Sequence, residues 1–210
     1  MSQSADRDLE NLLDRIRRCR ICRDAPLKGV TLPHEPNPIF QISRTARLCI
    51  AGQAAGTLAH AKSKPFDDPS GVRLRDWLGI DETLFYDPAR VAIAPMGFCF
   101  PGLDAKGGDL PPRRECAPEW RADLFARLPQ IELIVAIGQY AQAWHLGPDR
   151  ARTLTDTVRQ WRAIWEHPAR PRVLPLPHPS WRNNAWLKKN PWFEAEVLPV
   201  LRAEVARLAG

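Results

Sequence analysis

The sequence predicts an α/β fold, a three-layer α/β/α arrangement around a four-stranded, mainly parallel sheet. Three observations lead there. Four short apolar runs recur along the chain, each closed by turn residues: 46–51 before Gly52, 91–94 before Pro95, 133–137 before Gly138, and 173–176 before Pro177. Stretches with helical spacing lie between them, over 72–78, 119–128, 139–146 and 155–165. Strand and helix therefore alternate, as in parallel strands joined by helical crossovers.

The elements follow in order. Leu9, Leu12, Leu13 and Ile16 recur at helical spacing, with Ser4 or Asp6 available as N-cap. That helix runs into Cys19-Arg20-Ile21-Cys22, and a Pro-rich loop follows from Pro26 to Pro38. The four strands and their helices come next, and a last helix over 193–208 closes the chain. Proline clusters at 26–38, 101–118 and 168–191 predict long, shaped loops. No internal repeat divides the chain, so residues 1–210 read as a single domain to which the N-terminal helix and CxxC segment contribute. In such sheets ligands bind beyond the carboxyl ends of the strands. Gln53, Met96-Gly97-Phe98-Cys99 and His178 sit at those ends.

The net charge of +6 suits a polyanionic partner, since each phosphate neutralised releases counterions. No run approaches the roughly 18 apolar residues of a membrane span. The first 18 residues are charged throughout, unlike a secretory signal. The expectation is a cytoplasmic protein whose five cysteines stay reduced and act as ligands or core residues. Cys49, inside the first strand, reads as a packed thiol. Cys19 and Cys22 form a CxxC, whereas Cys99 and Cys116 stand far apart in loops rich in Pro and Gly. A thioredoxin-like pair fits poorly, because the CxxC follows a helix. Four-cysteine zinc and an iron–sulfur cluster both remain open on spacing. Arg18, Arg20 and Arg23 are candidates to offset a cluster's negative charge, or a solvated surface.

The turn Ala51-Gly52-Gln53-Ala54-Ala55-Gly56 is neither a phosphate-binding loop nor a dinucleotide fingerprint. Alone it is a tight turn. It is followed by Lys64-Pro65-Phe66-Asp67-Asp68-Pro69-Ser70-Gly71, and later by His178-Pro179-Ser180-Trp181-Arg182-Asn183. With the four cysteines, these motifs in this order resemble the uracil-DNA glycosylase superfamily, specifically its iron–sulfur branches, often called families four and five. The resemblance covers roughly residues 15 to 205.

The resemblance implies a DNA-repair enzyme that flips uracil out of DNA and hydrolyses its N-glycosidic bond. It implies a 4Fe–4S cluster on Cys19, Cys22, Cys99 and Cys116, with zinc as the alternative. Asp68, rather than Asp67, would position the attacking water; the alternative is that Asp68 caps the next helix, and both roles hold if Asp67 or Ser70 is the cap. His178 would donate to the base oxygen on which charge builds. Gln53, standing where family four has Glu, would hold a water or a base edge. Gly52, Ala54 and Ala55 would let backbone approach the base, Phe66 would stack on it, and Met96 and Gly97 would line the pocket. Ser180, Trp181, Arg182 and Asn183 would enter the DNA, with Lys188 and Lys189 on phosphates. The expected protein is a nucleoid-associated monomer.

The resemblance departs at two places. Relatives read the uracil edge with an Asn after the second strand, where this chain has Ala94-Pro95-Met96. Ala55 replaces a frequent Pro. Three functions therefore compete: a uracil-DNA glycosylase, a superfamily member that binds DNA without turnover or acts on another deaminated base such as hypoxanthine, and an unrelated nucleotide-binding module carrying zinc or a cluster.

Overall fold

The computed structural model describes residues 2–27 and 30–210, and the side chains of all of these but Ser2 and Gln3. Met1, and residues 28 and 29 of the predicted Pro-rich loop, lie outside the described residues. In chain order come α1 (Ser2–Arg17), α2 (Ile21–Asp24), β1 (Leu48–Ala51), α3 (Thr57–Lys62), α4 (Pro69–Leu78), α5 (Glu82–Phe85) and β2 (Val91–Ile93). Then come α6 (Cys116–Ala126), β3 (Leu133–Ile137), α7 (Gly138–Leu146), α8 (Leu154–Arg159), α9 (Trp161–Glu166), β4 (Arg172–Leu176), α10 (Asn184–Lys189) and α11 (Leu198–Ala209).

The four strands form one sheet in the order β2-β1-β3-β4, and every pairing is parallel. Leu48 pairs with both Val91 and Leu133, and Leu133 with Arg172. Both faces are covered, so the strands read as continuous apolar runs. The alternation of the pleat still sorts them by size. Leu48, Ile50, Ile93, Val135 and Leu174 face a core with Leu74, Trp77, Phe193 and Leu201. Cys49, Ala51, Ala92, Ala94 and Ala136 face Leu9, Leu13, Ile16, Trp120 and Leu124. Cys49 is the packed thiol expected from its place in a strand, and burial pushes its pKa up to about 11.

Three sequence expectations need correction. Ser4 and Asp6 lie inside α1, which starts before them, and do not cap it. The helix expected over 155–165 is two helices broken at Gln160. The last helix opens with a π-helical turn, Phe193–Val197, before α11. Pro199 lies in the first turn of α11 and has no N–H to give an ordinary helical bond, which the wider turn accommodates. Among the described residues no helix is long and apolar enough to cross a membrane.

Candidate active site

A cavity of about 640 Å³ opens beyond the carboxyl ends of the strands. Four segments wall it: the 52–56 turn after β1, residues 65–70 leading into α4, part of loop 101–110, and the 178–183 segment after β4. It lies where β1 is flanked by β2 on one side and β3 on the other, the crevice position of a doubly wound sheet. Gln53, Asp68 and His178, drawn from three separate motifs, all line it, with Gly52, Ala54, Ala55 and Phe66.

Backbone pairing fixes the first wall. The N–H groups of Met96 and Gly97 donate to the carbonyls of Gly52 and Gln53, each at 2.9 Å. The Gln53 amide reaches the Leu110 carbonyl at 3.5 Å. Met96 and Gly97 therefore hold the turn from behind and do not line the cavity, contrary to the sequence expectation. The Met96 side chain is packed in the core under the sheet, and Gly97 lies so close to Pro112 that a β-carbon would stand 3.1 Å from it. From this segment Ile93 and Pro95 reach the cavity instead.

The second wall depends on an unusual backbone. Phe66 has φ of 55°, a left-handed conformation rarely adopted outside Gly, Asn and Asp. Its ring lies on Gly52, whose β-carbon would come 3.1 Å from Phe66 Cζ, and meets Phe85 edge-on at 6.2 Å. Asp68 is itself the N-cap of α4: its Oδ1 accepts from the Gly71 N–H at 2.8 Å. The N-cap reading of Asp68 is the one observed, and neither Asp67 nor Ser70 is the cap; Asp67 pairs with Lys62 at 2.9 Å. One Asp68 oxygen is tied down by the cap, and the residue lines the cavity at the same time.

The 178–183 segment is held by its own side chains. Asn183 Nδ2 donates to the His178 carbonyl at 2.7 Å, and Ser180 Oγ accepts from the Arg182 N–H at 3.1 Å. Arg73 of α4 donates to the Ser180 carbonyl at 3.1 Å. Ser180 and Asn183, expected on DNA, have their side chains engaged in shaping the loop. Trp181 is 71% exposed with Arg182 over its ring at 5.8 Å. Burial holds the His178 pKa below its ordinary value, against a smaller opposing pull from Asp68 and Asp109, so the imidazole is neutral at neutral pH.

Asp109 was not anticipated. It lines the cavity from loop 101–110 and lies against the first wall, its Oδ2 3.1 Å from where a Gly56 β-carbon would stand. The only sequence signal was its place in Gly107-Gly108-Asp109-Leu110-Pro111-Pro112, where glycines let the loop fold back. Asp104 closes that fold, accepting from the N–H groups of Lys106 at 2.8 Å and Gly108 at 2.9 Å.

The family model of the uracil DNA glycosylase superfamily matches residues 40–202, which include all four strands and every cavity residue but Ile39. The chain belongs to the uracil DNA glycosylase superfamily. Its family activity is that of a DNA glycosylase.

Four of the five cysteines of this superfamily member, all but Cys49, line a second, small and largely apolar cavity. Cys19 and Cys22 come from the α1–α2 junction, outside the matched span, and Cys99 and Cys116 from within it. Burial pushes Cys99 and Cys116 up to about 12, and each also feels Cys19 and Cys22. Cys116 Sγ accepts from the Phe98 N–H at 3.3 Å. Among the described residues no three His, Cys, Asp or Glu are gathered as a single metal ion needs. Of the arginines considered as charge partners, Arg20 is taken by Asp24 at 2.9 Å and Glu35 at 2.7 Å. Arg23 donates to the Leu32 carbonyl and Arg18 to the Asp14 carbonyl. Among the described residues the cation on this cavity is Arg113, paired with Glu115 at 3.2 Å.

Proposed function

We propose that the chain is a monofunctional uracil-DNA glycosylase, which extrudes a uracil nucleotide and hydrolyses its N-glycosidic bond to leave an abasic site. The observation that carries this reading is the convergence of Gln53, Asp68 and His178 on one cavity with Phe66 on its wall. As the bond breaks, the base gains negative charge and the sugar positive charge. The neutral His178 has an N–H to donate to the base, which stabilises the leaving anion. The Asp68 carboxylate, fixed by its cap, favours the sugar cation and orients a water. Phe66 offers a stacking face.

Trp181 is the candidate wedge for the space the base leaves, with the exposed Arg182, Lys188 and Lys189 as candidate phosphate contacts. Uracil is the proposed base. Hypoxanthine is kept as the alternative because no Asn stands after β2 to read the uracil edge. The test is base release from oligonucleotides containing uracil, hypoxanthine, xanthine or a thymine mismatch, without added metal. Uracil release is expected, and His178→Ala and Asp68→Asn should each slow it about 10²–10⁴-fold. Unchanged rates in both variants would remove the catalytic assignment. Release of hypoxanthine alone would change the base. Tight binding without release would make the chain a DNA-binding relative. Trp181→Ala should weaken lesion-DNA binding by about 1–3 kcal/mol.

We also propose a 4Fe–4S cluster on Cys19, Cys22, Cys99 and Cys116. In support, the four thiols surround one volume rather than one point, and a cluster takes each thiolate on a separate iron. Bound there, the group would cross-link the α1–α2 junction to the loops around Cys99 and Cys116, with no part in the hydrolysis. Anaerobically purified protein should be brown with about four irons per chain. Cys116→Ser should lose both, and a colourless protein containing zinc would replace the cluster with the alternative ion.

A further inference from the structure

The cavity holds a second carboxylate, held differently from that of Asp68. Asp68 has an oxygen committed to the Gly71 N–H at 2.8 Å. Asp109 lines the same cavity from a different element and makes no hydrogen bond through its side chain among the described residues. It is exposed to solvent, while its Oδ2 lies against the Gly56 turn. A proton acceptor needs a free oxygen lone pair and contact with water, and Asp109 has both.

We infer that Asp109 is a further catalytic residue, the general base that takes the proton of the attacking water. This rests on the glycosylase reading above. In the step, the water oxygen forms a bond to C1′ of the sugar and its proton passes to an Asp109 oxygen. The C1′–N bond breaks with its electron pair leaving on the base, whose anion His178 stabilises. No other reactant is needed. The capped Asp68 carboxylate stabilises the positive sugar. The charges around Asp109 fit this division. Burial and Asp68 raise its proton affinity, whereas Arg182 and His178 lower it, and burial is the largest of these. A carboxylate with raised proton affinity is the better base.

The test is the pH dependence of kcat/KM for uracil release by the wild type, Asp109→Asn, Asp109→Glu and Asp68→Asn, with lesion-DNA binding measured in parallel. Wild-type kcat/KM is expected to fall about tenfold per pH unit on the acid side. Asp109→Asn should lower kcat about 10²–10⁴-fold, remove that acid limb, and leave DNA binding intact. Asp109→Glu should restore part of the rate and the limb. Asp68→Asn should lose rate yet keep the limb. Wild-type kcat in Asp109→Asn, or an acid limb lost only in Asp68→Asn, overturns the inference while leaving the glycosylase reading standing. A wild type that releases no base from any oligonucleotide overturns both.

Discussion

Gly71 is the residue on which the second wall of the cavity turns. A β-carbon there would lie 1.7 Å from the Phe66 carbonyl oxygen and 2.7 Å from its carbon, and both are backbone atoms that cannot swing away. The left-handed Phe66 stores strain of about 1–3 kcal/mol, and it persists because its carbonyl sits on a residue with no side chain. The same Gly71 supplies the N–H that fixes Asp68. Gly71→Ala is therefore expected to act twice, moving the Phe66 ring off Gly52 and loosening the Asp68 cap. The expected outcome is a loss of about 1–3 kcal/mol in urea unfolding, with a fall in base-release rate larger than the instability explains at temperatures where the fold is intact. A variant as active and stable as the wild type would mean that the 65–71 turn relaxes freely and does not hold the site.

Helix α6 shows what the sequence makes legible and what it hides. Strands and helices were readable because apolar runs of the right length alternate with helical spacing, and the order of three short motifs located Gln53, Asp68, Phe66 and His178. Arg121 was not readable. It stands in a run, Glu119-Trp120-Arg121-Ala122-Asp123, that looks like a solvated helix face, yet it is 1% exposed. The small residues Ala92, Ala94 and Ala136 on this face of the sheet leave space beneath α6. Arg121 fills it, donating to the carbonyls of Ala94 and Pro95 at 2.9 Å each. Asp109 and the backbone role of Met96 and Gly97 were hidden for a related reason, since loop closure over distance leaves no periodic trace. Arg121→Met keeps most of the volume but strands the two carbonyls that lead from β2 toward Cys99. It is expected to cost about 2–6 kcal/mol, from two buried acceptors at about 1–3 kcal/mol each, read as a lowered urea midpoint with unchanged slope. A neutral result would show that water replaces the guanidinium there.

Stability as a function of pH joins these buried groups. His145 lies beside Arg121, and burial, with the nearby guanidinium, lowers its pKa to about 3. His60 and His178 are also held below the ordinary value, each chiefly by burial. In the unfolded chain these imidazoles take up protons near pH 6.5. Below that pH unfolding therefore absorbs protons that the folded state refuses, and stability falls as the solution is acidified. For His145 alone the slope is about 1.4 kcal/mol per pH unit, running from about pH 6.5 toward its folded value. The paired carboxylates act lower. Glu132, between Arg207 and Arg47, and Glu204, on Arg207, have lowered pKa values, so their stabilisation persists above the unfolded carboxylate range and is lost only as pH falls through it. Between pH 6.5 and 5 the histidines consequently dominate. His145→Gln keeps an oxygen to accept from Arg121 and removes the titration. Its unfolding free energy is expected to match the wild type within about 1 kcal/mol at pH 7.5. By pH 5 it should exceed the wild type by roughly 1–2 kcal/mol, with the slope that remains belonging to His60 and His178. Parallel wild-type and His145→Gln curves between pH 7.5 and 5 would mean that His145 accepts a proton in the fold, and that Arg121 moves away to allow it.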